Sequence, residues 1–224
     1  MENTTHITKT VNPFESTINL ALENSIDNMN AFQRALKRTG DVIFALLGLI
    51  CLSPVFAIIA IIQKFSSDGP ILFKQERIGK NGKPFNIIKF RTMIVEAEED
   101  GPMLEQDDDD RLTSFGKFLR VHHLDELPQL WNVLIGDMSL VGYRPERQFY
   151  IDQIMKRNPN YQLLYCSRPG ITSYATVFNG YTDTIDKMLT RLDMDLDYLK
   201  NRTIALDIKI IFQTLFHIGK GEKI

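Results

Sequence analysis

The chain has 224 residues, of which 24% are charged and 44% hydrophobic, with a formal net charge of -2. That length supports one compact domain with an appendage. The near-neutral balance removes any global electrostatic argument for nucleic acid, and two cysteines far apart, Cys51 and Cys166, argue against a disulfide framework and read as reduced thiols.

Residues 1–33 form a polar tail. Its scarce early positive charge and missing apolar stretch argue against a secretion signal. Residues 34–66 read as a membrane segment. Val42 to Ile62 runs without a charge, about the roughly 20 residues needed to cross a bilayer. Ser53-Pro54 falls at its middle, and proline removes an N–H and kinks or breaks a helix. Each half is then roughly 16 Å long, about half of a hydrocarbon core of roughly 30 Å. Arg34, Lys37 and Arg38 precede the run, and Lys64, Lys74 and Arg77 follow it. Basic residues mark the cytoplasmic side, so both ends on one face favour a re-entrant hairpin over a kinked span or a buried helix of a soluble domain. The Ser53 hydroxyl is expected to bond a carbonyl that the proline frees.

Residues 67–224 read as the soluble part. Ile71–Ile78 and Phe85–Phe90 are rich in strand formers, and Asn81-Gly82 between them predicts a β-hairpin. Lys74, Arg77, Lys89 and Arg91 make it basic, either as a protected edge or as a phosphate-facing surface. Thr92 to Asp110 is acidic and ends in Asp107-Asp-Asp-Asp110, which reads as a solvated loop rather than a metal site. A short helix is expected over Thr113–Val121, with Phe115, Phe118 and Leu119 inward and Arg120 outward. A second begins near Asp125, with Leu127, Leu130, Trp131 and Leu134 at helical spacing, Pro128 in its first turn and Gly136 as its stop. Asp137–Gly142 reads as a turn with a short extended piece, Glu146–Arg157 as helix, Ser167–Gly170 as a turn and Ile171–Phe178 as β-prone. Asp183–Asn201 and Ala205–Ile218 are amphipathic helices. The last is a core element by default, or lies on a membrane surface.

The chemistry concentrates in Leu124 to Pro145. A carboxylate at a helix start is usually only an N-cap. Here Asp125 is joined by Glu126, and two adjacent carboxylates repel unless a cation or shared proton relieves them. Mg²⁺ favours one or two carboxylates plus substrate phosphates. Arg144, with Arg120 and Arg91 as helpers, offers planar donor forks for phosphate oxygens, and Pro145 restricts the backbone at Arg144.

The chain resembles the monotopic phosphoglycosyl transferases, the bacterial sugar transferases acting on polyprenol phosphate. The resemblance runs from Lys37 to about Leu215. It rests on Lys37-Arg38, Ser53-Pro54, Phe73-Lys-Gln-Glu-Arg-Ile-Gly79, Phe90-Arg-Thr-Met93, Leu124-Asp-Glu-Leu-Pro-Gln129, Gly136-Asp-Met-Ser-Leu-Val-Gly142, Arg144-Pro145 and Arg168-Pro-Gly-Ile-Thr172. It implies transfer of a sugar 1-phosphate from a UDP-sugar to undecaprenyl phosphate, releasing UMP and initiating glycan assembly (exopolysaccharide, O-antigen or glycoprotein). It implies Asp125 as the nucleophile forming an aspartyl-phosphosugar intermediate, Asp125 and Glu126 as Mg²⁺ holders, Glu126 as an aid to deprotonating the lipid phosphate, and Arg144 as a phosphate binder. It places the protein on the cytoplasmic face of the inner membrane, in contact with membrane lipid. Oligomeric state stays open, a homodimer included, as does the identity of the sugar. Two sites depart from the family pattern: Gly142-Tyr-Arg-Pro145 replaces Gly-Pro-Arg-Pro, and Ser173-Tyr-Ala-Thr-Val177 replaces Gly-Leu-Ala-Gln-Val. His122-His123 stands where small or polar residues are common. The expected fold class is α+β: a re-entrant membrane helix hairpin and a compact helix-rich cytoplasmic catalytic domain with a small β-hairpin and amphipathic interfacial helices. The competing readings are a membrane-attached Mg²⁺-dependent phosphohydrolase and a non-catalytic scaffold.

Overall fold

A computed structural model describes residues 26–66, 69–95, 97, 101–103, 109–180 and 182–220. The polar tail up to residue 25 and most of the acidic run before Asp109 lie outside the described residues. The chain enters through helix α1, Ala31–Cys51. Asn30 starts it with a capping box: its side chain accepts from the Gln33 N–H, and the Gln33 side chain accepts from the Asn30 N–H. Helix α2, Ser53–Ser66, follows. No single helix among the described residues is long and apolar enough to cross a membrane, but α1 and α2 together are, and they bend by 57° at their break. The Ser53 hydroxyl donates to the Ile50 carbonyl at 2.8 Å. That is the compensation expected for a proline, since Pro54 has no N–H to offer.

The expected hairpin forms from β1, Leu72–Ile78, and β2, Pro84–Phe90, antiparallel with Leu72 opposite Phe90 and Ile78 opposite Pro84. Asn81 takes φ 60° and ψ 24° in the connection, a left-handed conformation that asparagine tolerates. Helix α3 is Ser114–Val121, capped by Thr113. Helix α4 is Gln129–Ile135 and strand β3 is Ser139–Val141. Helix α5 is Gln148–Arg157, and a 3-10 segment follows from Pro159 to Cys166. Strand β4, Gly170–Thr172, pairs in parallel with β3, Ser139 opposite Gly170 and Val141 opposite Thr172. The chain ends in helices α6, Tyr174–Asn179, α7, Ile185–Asn201, and α8, Ile204–Lys220. The architecture is helix-rich α+β, as expected, with a second two-stranded ladder that the sequence did not announce.

Four expectations need correction. The segment expected to be β-prone, Ile171–Phe178, is strand only as far as Thr172. Ser173 then accepts the Thr176 N–H and starts α6, so a local cap overrides β propensity. Helix is not continuous from Asp125: Leu124–Glu126 is a 3-10 turn, and α4 starts only after Pro128. Phe118 is half exposed rather than inward, and Arg120 is turned in to donate to Thr92. Glu146 is not helical; it is buried as an ion-pair acceptor ahead of α5.

The core is continuous through α5, α7 and the 3-10 segment, with Ile151, Ile154, Leu164, Leu192 and Leu199 almost wholly buried. The helix read as amphipathic over Asp183–Asn201 buries Met188, Leu192, Leu196 and Leu199 as α7. The bent helix pair also contributes: Ala45 packs with Ile87, Val133 and Met138, and Ile59 with Phe90 and Leu119. Polar contacts lock the first half of α1 to the body. Lys37 pairs with Asp207 at 2.6 Å, and Asp41 accepts from the Ser139 hydroxyl and the Leu140 N–H. The outer faces of the pair stay apolar and exposed, at Phe44, Leu47, Ile50, Ile58, Ile61 and Phe65.

Candidate active site

Asp125 and Glu126 sit at the joint between α3 and α4. His123, at φ 52° and ψ 22°, turns the chain sharply there. This left-handed conformation is uncommon for a side chain larger than glycine or asparagine, and such strain persists where the surroundings impose it. Downstream, α4 is held at both ends. Gly136 closes it at φ 104°, and Arg38 of α1 donates to the Val133 and Leu134 carbonyls, which carry the negative end of the helix. Arg168 donates to the Gly136 carbonyl. On the other side, Asn132 accepts the Ile88 N–H and donates to the Asn86 carbonyl, stitching α4 to β2. That stitch puts Lys89 beside the acidic pair.

Glu126 receives Lys89 Nζ at 2.5 Å and lies 3.7 Å from an Arg144 guanidinium nitrogen. Burial pushes its carboxyl up, but the charges of Lys89, Arg144 and His123 and the Lys89 hydrogen bond outweigh it, so the group falls to about 2. Asp125 is 6% exposed. Both carboxylates line a cleft of about 900 Å³, together with Arg91, Arg120 and Arg144. Five of the anticipated residues, Asp125, Glu126, Arg91, Arg120 and Arg144, thus share one cavity. Arg120 is steadied by donating Nε to Thr92 at 2.9 Å. The Arg91 carbonyl accepts the Gln63 side chain at 2.5 Å, which ties α2 to the cleft wall. Pro145 is not on that wall: it is buried, and its carbonyl accepts from Arg77. Ser53 and Pro54 are apart from the cleft lining, at the break between α1 and α2.

The lining of the cleft is mixed: Lys89, Lys117, Arg147 and Arg191 add positive charge, and Phe44, Gly48 and Leu52 of the bent helix pair add apolar surface. Its size suits a small-molecule ligand. The contents match a phosphate-bearing substrate that also carries an apolar portion.

Sequence reasoning missed three parts. Lys89 was read only as one charge of a basic hairpin. Arg77, from the same hairpin, is drawn inward: Glu146 is sandwiched between it, at 3.2 Å, and Arg191. Burial raises the Glu146 carboxyl, and Arg191, Arg77 and Arg144 bring it below its ordinary value. Asp195 of α7 is 2% exposed. It is pushed up to about 7 by burial, against the Arg191 charge and hydrogen bonds from the Arg144 and Ala175 backbone N–H groups and the Ser173 hydroxyl. Nothing in its helical spacing distinguished it from a solvated acid.

The dipole of α4 contributes little at Asp125, because that helix is 7 residues long and starts a turn later. Among the described residues no cluster of three or more metal-ligating side chains is present, so the Mg²⁺ expected from the sequence would have to be held by the carboxylate pair together with substrate phosphates rather than by an all-protein cage.

The sequence profile of the bacterial sugar transferases matches residues 32–221, and the chain belongs to that family. It is 39% identical over 186 residues to a UDP-N-acetylgalactosamine-undecaprenyl-phosphate N-acetylgalactosaminephosphotransferase of Aeromonas hydrophila, covering 83% of this chain and 44% of the relative. It is 41% identical over 190 residues to a UDP-glucose:undecaprenyl-phosphate glucose-1-phosphate transferase of Escherichia coli K12, covering 84% and 41%. A relative of Caulobacter vibrioides with the same activity name is 43% identical over 183 residues, covering 80% and 68%. The chain thus spans less than half the length of the first two relatives.

Proposed function

We propose that this chain transfers a sugar 1-phosphate from a UDP-sugar to undecaprenyl phosphate, at the cytoplasmic face of the inner membrane, as the first step of a glycan. The observation that carries the proposal is the cleft, whose lining combines Asp125 and Glu126, the arginines Arg91, Arg120 and Arg144, and apolar residues of the bent helix pair, Phe44, Gly48 and Leu52.

In this reading the Asp125 carboxylate attacks the sugar-side phosphorus, the bond to the bridging oxygen breaks, and UMP leaves. An oxygen of undecaprenyl phosphate then attacks the same phosphorus and displaces Asp125, giving undecaprenyl diphosphate sugar and the free carboxylate. Covalent catalysis of this kind divides one displacement into two. Arg144, Arg120 and Arg91 hold the phosphoryl oxygens. Asp125 and Glu126 hold Mg²⁺, which when bound neutralises phosphate charge. Glu126, kept ionised by Lys89 and Arg144, suits that holding role better than proton acceptance, because so weak a base takes few protons at neutral pH.

The membrane part of the proposal is a re-entrant hairpin. Lys37, Arg38 and Asp41 are bonded to the body, so only the stretch of α1 from Ile43 to Cys51 is left to enter lipid. At 1.5 Å per residue that is about 14 Å, short of a hydrocarbon core of roughly 30 Å. Cysteine labelling at Gln33 and Ser66, in a Cys51→Ala background, tests it: label reaching both from the cytoplasmic side is expected, and label from opposite sides rejects the hairpin. For the chemistry, the purified chain is incubated with radiolabelled UDP-sugars, Mg²⁺ and undecaprenyl phosphate. Lipid-linked sugar phosphate and UMP are expected. Free sugar phosphate marks a hydrolase, and no turnover marks a scaffold. The relatives' names differ in the sugar, so a panel of donors identifies the one used here.

A further inference from the structure

The β1–β2 hairpin touches both halves of the site. In its register Lys89 stands opposite Phe73, and Arg77 lies four residues further along β1. Side chains two and four apart on a strand share a face, and Phe73, Gln75, Arg77, Ile87 and Lys89 all line the cleft. Lys89 Nζ holds Glu126 at 2.5 Å. About 13 Å along the same face, Arg77 holds the segment that carries Arg144. Its Nη1 donates to the Pro145 carbonyl at 3.1 Å and to Glu146 Oε2 at 3.2 Å. Its Nη2 is steadied by donating to Gln75 Oε1 at 2.6 Å. The next residue, Ile78, donates its N–H to the Glu146 carbonyl at 3.0 Å. The two residues after Arg144 are therefore fixed by three bonds from one strand. Arg144 in turn lies 3.7 Å from Glu126, which closes a ring of contacts from acid pair to hairpin to arginine turn and back. Charge balance does not require Arg77 there, because Arg191 already pairs with Glu146, their side chains 8% and 6% exposed. What Arg77 adds is a bond to the main chain beside Arg144.

We propose that Arg77 is a positioning residue for Arg144: by binding the Pro145 carbonyl and the Glu146 carboxylate it fixes the turn between β3 and α5 on the hairpin, and so sets Arg144 against the acid pair that Lys89 holds from the same face. A lysine at position 77 keeps a charge beside Glu146 but has no planar fork, so it loses the joint hold on Gln75 and the Pro145 carbonyl. The consequence for substrate rests on the phosphate-binding reading of Arg144; the clamp itself does not.

The full chain, purified in detergent, is compared with Arg77→Lys, Arg144→Ala and the double variant. UDP is the probe, because every donor of the proposed class contains it. UDP affinity is expected to fall about tenfold in Arg77→Lys, the scale of one lost net hydrogen bond to a charged group. Arg144→Ala is expected to weaken UDP binding too, and the double variant to bind no more weakly than Arg144→Ala, because Arg77 acts only through Arg144. A purely structural ion pair instead gives losses that multiply; that result, or unchanged affinity in Arg77→Lys, overturns the proposal. Hydrogen exchange of the Ile78 N–H is expected to quicken about tenfold in Arg77→Lys, and an unchanged rate overturns the clamp. Should Arg77→Lys fail to fold, Glu146→Gln loosens the same link from its other side and is read in the same way. If UDP fails to bind the unaltered chain, the proposed function fails, while the Ile78 exchange rate still decides the clamp.

Discussion

Lys89 sets what Glu126 is able to do. Glu126 sits below its ordinary value of 4.5, at about 2, so its ionised form favours the folded state. That contribution is complete above pH 4.5 and is lost as pH falls through 4.5 toward 2. Lys89→Met removes the hydrogen-bonded cation, so the folded-state value rises and the loss of stability on acidification below pH 4.5 shrinks. Urea unfolding between pH 3 and 7 measures it. At neutral pH the variant is expected to lose roughly 2–4 kcal/mol, the lower end reflecting the partial exposure of both side chains. An unchanged acid limb removes Lys89 from this role. Gly142 offers a second test at this scale. A Cβ there falls 2.4 Å from the Arg168 carbonyl and 2.8 Å from the Gly170 nitrogen, both backbone atoms in the β3–β4 region. Gly142→Ala is expected to lower stability by about 2 kcal/mol or more and to weaken substrate binding through Arg144, next but one in sequence. Thermal unfolding and the KM for the donor check the two halves.

Among the elements, α4 depends on α1 more than on itself. It is 7 residues long, too short to persist alone, and Arg38 satisfies two of its terminal carbonyls. Arg38→Ala is expected to lower stability by about 1–3 kcal/mol and to cut turnover as the Asp125 turn loosens. Normal turnover in a less stable protein separates the two effects and leaves Arg38 a purely structural cap. The elements that sequence revealed are those with long periodic signals: the hairpin with its Asn81-Gly82 turn, and α7 with its inward stripe of Met188, Leu192, Leu196 and Leu199. Those it hid are short or depend on distant partners. Strands β3 and β4 are three residues each, too brief for alternation to register. Helix α6 rests on the Ser173 cap, weighed against Ile171, Val177 and Phe178, which favour strand. At the site, Asp125, Glu126 and Arg144 stood out because the motifs around them carry the family resemblance; adjacent carboxylates alone, as in Asp107–Asp110 before Arg111, did not mark a site. Lys89, Glu146 and Asp195 did not, because their roles come from tertiary pairing.

At the scale of the molecule, the bent helix pair is partly core and partly exposed apolar surface. Ala45 and Ile59 are core residues, while Phe44 and Phe65 are 63% and 87% exposed. Exposed apolar residues also mark α8, at Ile208, Phe212, Leu215 and Phe216, and such a face suits the surface of a bilayer. The proposal therefore brings a water-soluble donor and a lipid acceptor to one carboxylate through a single cleft. Mass spectrometry of enzyme quenched during turnover with UDP-sugar, in the absence of undecaprenyl phosphate, tests that claim most directly. The account predicts a sugar phosphate bonded to the peptide bearing Asp125, and none in Asp125→Asn. Turnover to lipid-linked product by Asp125→Asn, or an adduct mapped to another residue, contradicts it.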